Sequence, residues 1–237
     1  MMTNIRTIAG RQFRSYFNGP IAYIVVAVFL LVLGFLFWQT FFLQQRATAR
    51  EMFNYFSLIN YFALPAVTMG LLAEEKRTGT IELLITMPVT DAQVILGKFV
   101  GVLGLYLVMM LLTLPYMFSI ASLGDLDWGP VFAGYFGLLL QGLALIGIGL
   151  ACSSFTDNQL IAFFAALAIS VFFFLIDKFL PLMPRGLQPL LEFISFDVHL
   201  NLLRRGVIAV RDTLFFLSVA GLAVLIAFRS LESRRWS

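Results

Sequence analysis

Long apolar segments alternate with short charged segments along the whole chain. A helix needs about 20 mostly apolar residues to cross the hydrocarbon of a bilayer, so only a long interval between charges can hold one. Six intervals qualify, and they run from Arg14 to Arg46, Glu51 to Glu74, Lys98 to Asp125, Asp127 to Asp157, Asp157 to Asp177, and Asp212 to Arg229. The pattern predicts an all-α, polytopic membrane protein with six transmembrane helices, in a single domain covering residues 1–237.

The predicted spans are residues 20–44, 52–73, 94–121, 131–152, 159–177 and 213–229. The last interval holds 16 residues. At about 1.5 Å per residue these give only about 24 Å of helix, so the sixth span must thin the bilayer or recruit its flanks. No acidic or basic residue lies inside the intervals, whereas carriers driven by protons or sodium ions usually place one near the membrane midplane. We therefore expect an energy source on another chain.

The first residues of the chain, 1–18, form a predicted interfacial helix. Arg11 and Arg14 lie on one side of it, and the opposite, apolar side carries Ile5, Ile8, Ala9, Phe13 and Tyr16. Such a helix either anchors the first span at the membrane surface or contacts a cytoplasmic partner.

The segment between the fifth and sixth spans, residues 178–211, is a predicted outer loop with short helices. It is largely apolar, but a seventh span is opposed by Arg185 and by Pro181, Pro184 and Pro189. We expect its helices to lie at the outer interface or to dip partly into the membrane. A partly ordered amphipathic loop is the alternative.

The composition also requires lipid as the solvent, because 60% of the residues are hydrophobic and 12% are charged, against about 45–50% and about 25% in soluble domains. A single cysteine, Cys152, and a single histidine, His199, predict neither a disulfide framework nor a metal site.

The net charge of +3 reflects basic residues beside the spans rather than a nucleic-acid surface. Both termini are basic, which predicts that both are cytoplasmic, although the loop 178–211 also carries basic residues.

The segment between the second and third spans, residues 74–92, carries the most information. Gly79 allows a sharp turn, Thr80 starts a short amphipathic helix, and Pro88 ends it. Thr90 and Gln93 then form a predicted capping box at the start of the third span. From the residues alone, a docking element for a soluble partner and a solvated loop with an interfacial helix both remain open.

This segment resembles the first cytoplasmic loop of ABC-2 type exporter permeases. The matching positions are Glu74 or Glu75, Arg77, Gly79, Thr80, Glu82, Leu83, Leu84, Pro88, Gly97 and Lys98. Two further stretches, 14–23 and 199–212, resemble the branch that contains the gliding-motility permease and the permease of nitrous-oxide reductase maturation.

The resemblance implies a permease subunit of an ATP-binding cassette transporter, with residues 74–92 as its coupling segment. The residues implied to couple to the ATPase are Glu74, Glu75, Lys76, Arg77, Gly79, Thr80, Glu82, Leu83, Leu84 and Pro88. The implied partners are an ABC ATPase dimer that binds ATP and magnesium, a second permease subunit of the same or a different kind, and an auxiliary protein with a periplasmic domain. The implied location is the bacterial inner membrane, and the implied direction is export.

Other functions are weighed by motifs that the chain lacks. Gly97 and Lys98 are followed by Phe99 rather than Ser or Thr, so no phosphate-binding loop is predicted and the chain itself is not expected to be an enzyme. The pair Glu74 and Glu75 fits one intramembrane protease motif only if position 79 is arginine, and it is glycine. A secondary carrier and a structural membrane subunit remain as alternatives.

Two prolines lie in the middle of predicted spans. Pro65 in the second span and Pro115 in the third each remove an intrahelical hydrogen bond. They are possible hinges or ordinary kinks of membrane helices. Gly97 with Gly101, and Ala162 with Ala166, show the four-residue spacing of small residues that allows helices to approach closely.

Overall fold

The computed structural model describes residues 2–44, 48–80, 89–184 and 186–233. Within these residues the regular structure is helical, with no β-strand. In the described part of the chain, six helical stretches are long and apolar enough to cross a membrane, and they cover Ala22–Leu43, Arg50–Arg77, Asp91–Leu123, Trp128–Phe155, Gln159–Leu182 and Val210–Glu232. The prediction of an all-α protein with six spans is confirmed.

The helices follow one another with short connections. They are α1 (Met2–Asn18), α2 (Ile21–Gln44), α3 (Arg50–Thr68), α4 (Ala73–Arg77), α5 (Asp91–Leu111), α6 (Leu114–Leu123), α7 (Trp128–Phe155), α8 (Gln159–Phe179), α9 (Gln188–Ile194), α10 (Phe196–Arg204) and α11 (Val210–Glu232). A 3₁₀ turn, Leu180–Leu182, follows α8. The second span is thus α3 followed by α4, and the third span is α5 followed by α6.

Helix α7 lies at the centre of the bundle and packs against α3, α5, α8, α10 and α11. Glycines bring its neighbours close: a Cβ atom on Gly142 would lie 2.1 Å from the ring of Tyr106, and one on Gly149 would lie 1.9 Å from Thr68 Oγ1. Small residues give this close approach because only their backbone separates the helices.

A polar network joins α3, α5 and α7 inside the bundle. Asn60 donates to the hydroxyl of Tyr106 at 2.8 Å, and that hydroxyl donates to the carbonyl of Leu138 at 2.8 Å. Gln141 donates to Ser57 Oγ at 2.9 Å. These residues are fully buried or nearly so, and they bond to one another because neither apolar neighbours nor lipid offers a partner. Among the described residues, Asn60 Oδ1 has no hydrogen-bond partner.

The third span is interrupted close to Pro115. Helix α5 ends at Leu111 and α6 begins at Leu114, with Pro115 in the first turn of α6. The buried Thr113 joins the break to α7 through a hydrogen bond of 2.9 Å with Tyr135. Pro65, in contrast, lies within α3. The hinge roles of both prolines remain predictions.

Two helices extend beyond the charge-free intervals that the sequence suggested. Lys98 lies inside α5 and is 3% exposed, and Asp212 lies in the first turn of α11 and is fully buried. The acid is accommodated because its Oδ1 lies 2.7 Å from Nδ1 of His199, a residue assigned to the outer loop that is fully buried in α10. The sixth span thereby reaches 23 residues, about 34 Å.

Candidate functional site

The turn between α3 and α4 is built around one hydroxyl group. Ser153 Oγ accepts hydrogen bonds from the backbone N–H groups of Leu72 and Ala73, at 3.0 Å each, and donates to the carbonyl of Met69 at 2.9 Å. The first N–H groups of a helix have no partner within it. Ser153, close to the end of α7, therefore supplies the acceptor that lets α4 start inside the protein.

A buried ammonium group fixes the same turn from α5. Lys98 Nζ donates to the carbonyl of Leu71 at 2.5 Å and pairs with Glu75 Oε1 at 2.7 Å. The lysine side chain is 4% exposed and the glutamate side chain 27% exposed. A charge removed from water needs such compensation, so this pair holds α4 against α5.

Two further contacts join α4 to the end of α7 and the start of α8. Lys76 donates to the carbonyl of Ser154, which also accepts a hydrogen bond from Ser230 of α11 at 2.9 Å. Gln159, the first residue of α8, donates to the carboxylate of Glu74. Side chains or backbone groups of α5, α7, α8 and α11 therefore meet around α4.

Arg77, the last residue of α4, is exposed, whereas Glu74, Glu75 and Lys76 are half-buried. Arg77 and Glu74 form an ion pair of 2.7 Å across one turn of the helix. The helix ends at Arg77 and is capped by Thr78, and Gly79 has a φ of +70°, the left-handed conformation that glycine adopts at helix ends. Beside Arg77 lies a cavity of about 380 Å³, lined by Arg77, Asp157, Asn158, Gln159 and Leu160.

The third span begins with the predicted capping box. Thr90 accepts a hydrogen bond from the backbone N–H of Gln93 at 3.4 Å, and the Gln93 side chain accepts one from the backbone N–H of Thr90 at 3.2 Å. Asn4 of α1 also donates to the Gln93 side chain, at 3.3 Å. The start of α5 is thereby fixed next to α1.

Helix α1 packs along α5 at this end of the bundle. A Cβ atom on Gly97 would lie 2.7 Å from the Ile8 side chain, and one on Gly101 would lie 2.6 Å from Gln12. Tyr16 donates to the carbonyl of Val67 near the end of α3, at 3.1 Å. Burial raises the pKa of Tyr16, so its hydroxyl keeps the proton that it donates.

The structure brings together part of the predicted coupling segment. Glu74, Glu75, Lys76 and Arg77 form α4, and Gly79 and Thr80 follow it. The predicted positions Glu82, Leu83, Leu84 and Pro88 lie outside the described residues. Whether any of these residues couples to an ATPase is untested and remains a prediction.

The sequence analysis did not identify the residues of neighbouring helices that contact α4. They are Lys98, Ser153, Ser154 and Gln159. The adjacent serines at the end of an apolar helix were the available signal, since polar residues there need a partner. The groups that would identify that partner lie far away in the sequence.

Comparison with known proteins gives one family. The profile described as "ABC-2 family transporter protein" matches residues 21–228, from the start of α2 into the last turns of α11. Among curated proteins, none matches the chain significantly.

Proposed function

The chain belongs to the ABC-2 family of transporter proteins and is therefore a membrane-spanning permease of an ABC transporter, and we propose that it works in an exporter-type dimer energised by a separate ATPase. In this proposal the partner subunits bind ATP and magnesium. The translocation path lies between the two permease subunits. Residues 74–88 receive the movement of the ATPase dimer when it closes.

The observation that carries this proposal is the position of α4. Its last residue, Arg77, is exposed and charged, and the rest of the helix is joined to α5, α7 and α8 through Lys98, Ser153 and Gln159. A short helix held by three spans transmits a displacement to all of them, because packed helices move as rigid bodies rather than deform. A force on α4 therefore tilts the spans that line the path.

Orientation and location form part of the same proposal. Arg6, Arg11 and Arg14 are exposed on α1, and basic residues beside a span favour the cytoplasmic side. We place α4 and both termini in the cytoplasm of a bacterial cell, with the protein in the inner membrane. Within the family we assign the chain to the branch of the gliding-motility and nitrous-oxide reductase maturation permeases. The segment 178–211 would then face an auxiliary periplasmic protein.

The positions of the buried charges favour ATP-driven transport over secondary transport. Lys98 lies two turns into α5 and pairs with Glu75, and Asp212 lies in the first turn of α11 beside His199. Proton- and ion-coupled carriers usually use such groups near the midplane. Here both pairs lie toward the helix ends and fix neighbouring segments.

Crosslinking of the assembled complex tests the proposal. We would replace Cys152 with serine, introduce Thr78→Cys or Val207→Cys, and purify each tagged chain from its host in mild detergent after treatment with a bis-maleimide. Thr78 follows α4 and is exposed, whereas Val207 is 53% exposed before α11 at the opposite end of the bundle. We expect an ABC ATPase to copurify with both chains and to crosslink to Thr78→Cys alone.

The Val207→Cys chain is the matched control for reagent access. Absence of an ATPase from the purified complex would contradict the proposed energy source. An ATPase that crosslinks from Val207→Cys and not from Thr78→Cys would contradict the role of α4.

A further inference from the structure

A charged cavity lies at the end of the bundle opposite α4. It measures about 400 Å³ and lies between α3, α8 and α10, a size within the range of small-molecule sites. Its charged lining residues are Arg50, Asp177, Lys178, Asp197 and Arg204. Three cations face two carboxylates, so the cavity has a net positive charge.

The two carboxylates are already engaged by groups of the cavity wall. Lys178 Nζ lies 3.0 Å from Asp177 and 3.6 Å from Asp197. Arg204 Nη2 lies 3.3 Å from the other oxygen of Asp197. Lys178 is therefore shared between both acids, and Asp197 is shared between two cations.

Two guanidinium groups retain donors that the described residues leave unused. Arg204 Nε is buried and has no hydrogen-bond partner among the described residues. The arginine side chain as a whole is 11% exposed. Arg50 is exposed, lines the same cavity and forms no ion pair with any described residue, so burial leaves a donor unsatisfied at Arg204 and not at Arg50. Buried donors are nearly always satisfied in folded proteins, and the planar guanidinium fork suits phosphate and carboxylate oxygens.

We propose that this cavity binds a phosphate group between Arg50 and Arg204. The group belongs to the headgroup of an anionic phospholipid or to a free phosphate in solution. The lipid source is accessible because α8 reaches the cavity in its last turn, at the end of an apolar span, where headgroups lie. This site is independent of the ATPase coupling proposed above.

Binding of phosphatidylglycerol to the purified chain tests the site. Native mass spectrometry would count the lipid bound after exchange into detergent with phosphatidylglycerol or with phosphatidylcholine, with and without inorganic phosphate as competitor. We expect apparent affinity for phosphatidylglycerol to fall about tenfold in Arg50→Gln and in Arg204→Gln, because each loses a charge-assisted contact.

Arg205→Gln is the matched control, since Arg205 follows Arg204 on the chain, is exposed and does not line the cavity. Competition by inorganic phosphate that depends on Arg50 identifies a soluble ion as a ligand, and arginine-dependent lipid binding without such competition identifies the headgroup. Arg204→Gln breaks the pair with Asp197, so a loss of binding in that variant alone has misfolding as a second explanation. Arg50→Gln breaks no ion pair among the described residues and is free of that explanation. Affinity in Arg50→Gln equal to the wild type, or an equal loss in Arg205→Gln, overturns the proposal.

Discussion

Ser153 shows how a single side chain determines the local structure of α4. The sequence separates it from Leu72 by 81 positions, and its hydroxyl nevertheless satisfies two backbone donors and one backbone acceptor of the turn. A buried N–H group without an acceptor costs free energy whether the neighbour is protein or lipid. The turn therefore depends on this residue more than on its own sequence.

Ser153→Ala is expected to destabilise the chain. The substitution leaves the N–H groups of Leu72 and Ala73 without their acceptor, at a cost of about 1–3 kcal/mol for each buried group. The change is measured as a lower midpoint of unfolding by SDS in mixed micelles. Ser218→Ala is the control, because Ser218 is exposed and donates only to Leu214 of its own helix. Equal midpoints for the two variants would refute the role of Ser153.

Helix α1 has an apolar face that is readable from the sequence, whereas the helix that it packs against is not. The predicted face holds Ala9, which is buried, and Arg11 and Arg14 on the other side are exposed. The helix packs on α5, where Gly97 and Gly101 allow close approach. Helix α1 thus packs one face against the third span and exposes its other, polar face.

Gly101→Leu is expected to displace α1 from α5. The new Cβ would lie 2.6 Å from Gln12 and 3.0 Å from the carbonyl of Ala9, and a backbone atom cannot move aside as a flexible side chain does. Overpacking of this kind costs about 1–3 kcal/mol. Trypsin should therefore cleave α1 faster in micelles, after Arg11 and Arg14. Gly221→Leu is the control, because a Cβ at Gly221 meets no atom within 4 Å; equally fast cleavage in both variants would count against this packing.

At the scale of the whole molecule the bundle has two chemically different ends. One end carries α1, α4 and the start of α5. The other carries α9, α10 and the charged cavity. Because α7 contacts helices from both halves of the chain, the ends are joined by packed helices rather than by flexible connections. In the mechanism that we propose, a displacement at α4 would be transmitted along the bundle through these packed helices.

Cysteine labelling in cells tests which end faces the cytoplasm. The Thr78→Cys and Val207→Cys chains, both with Cys152→Ser, would be exposed to a membrane-impermeant maleimide before and after permeabilisation of the inner membrane. We expect Val207→Cys to react in cells with an open outer membrane and Thr78→Cys to react only after permeabilisation. The reverse result would place α4 outside the cell and remove the basis for coupling to an ATPase.

The local features were readable from the residues because local chemistry produces them. The capping box of Thr90 and Gln93 needs only a hydroxyl and an amide three positions apart, and the positive φ of Gly79 needs only a residue without Cβ. The burial of Lys98 and Asp212 was missed because charges were taken as span boundaries. Their partners, Glu75 and His199, become visible only when the chain is folded.

The sequence by itself determined that this protein is a helical membrane protein with six spans, because the length and apolarity of each span are properties of consecutive residues. It also determined the charged turn between the second and third spans. Only the tertiary structure decided what holds that turn, and which charges share the cavity between α3, α8 and α10. Those contacts join positions that are distant in the chain, so they depend on how the helices pack and leave no periodic pattern in the sequence.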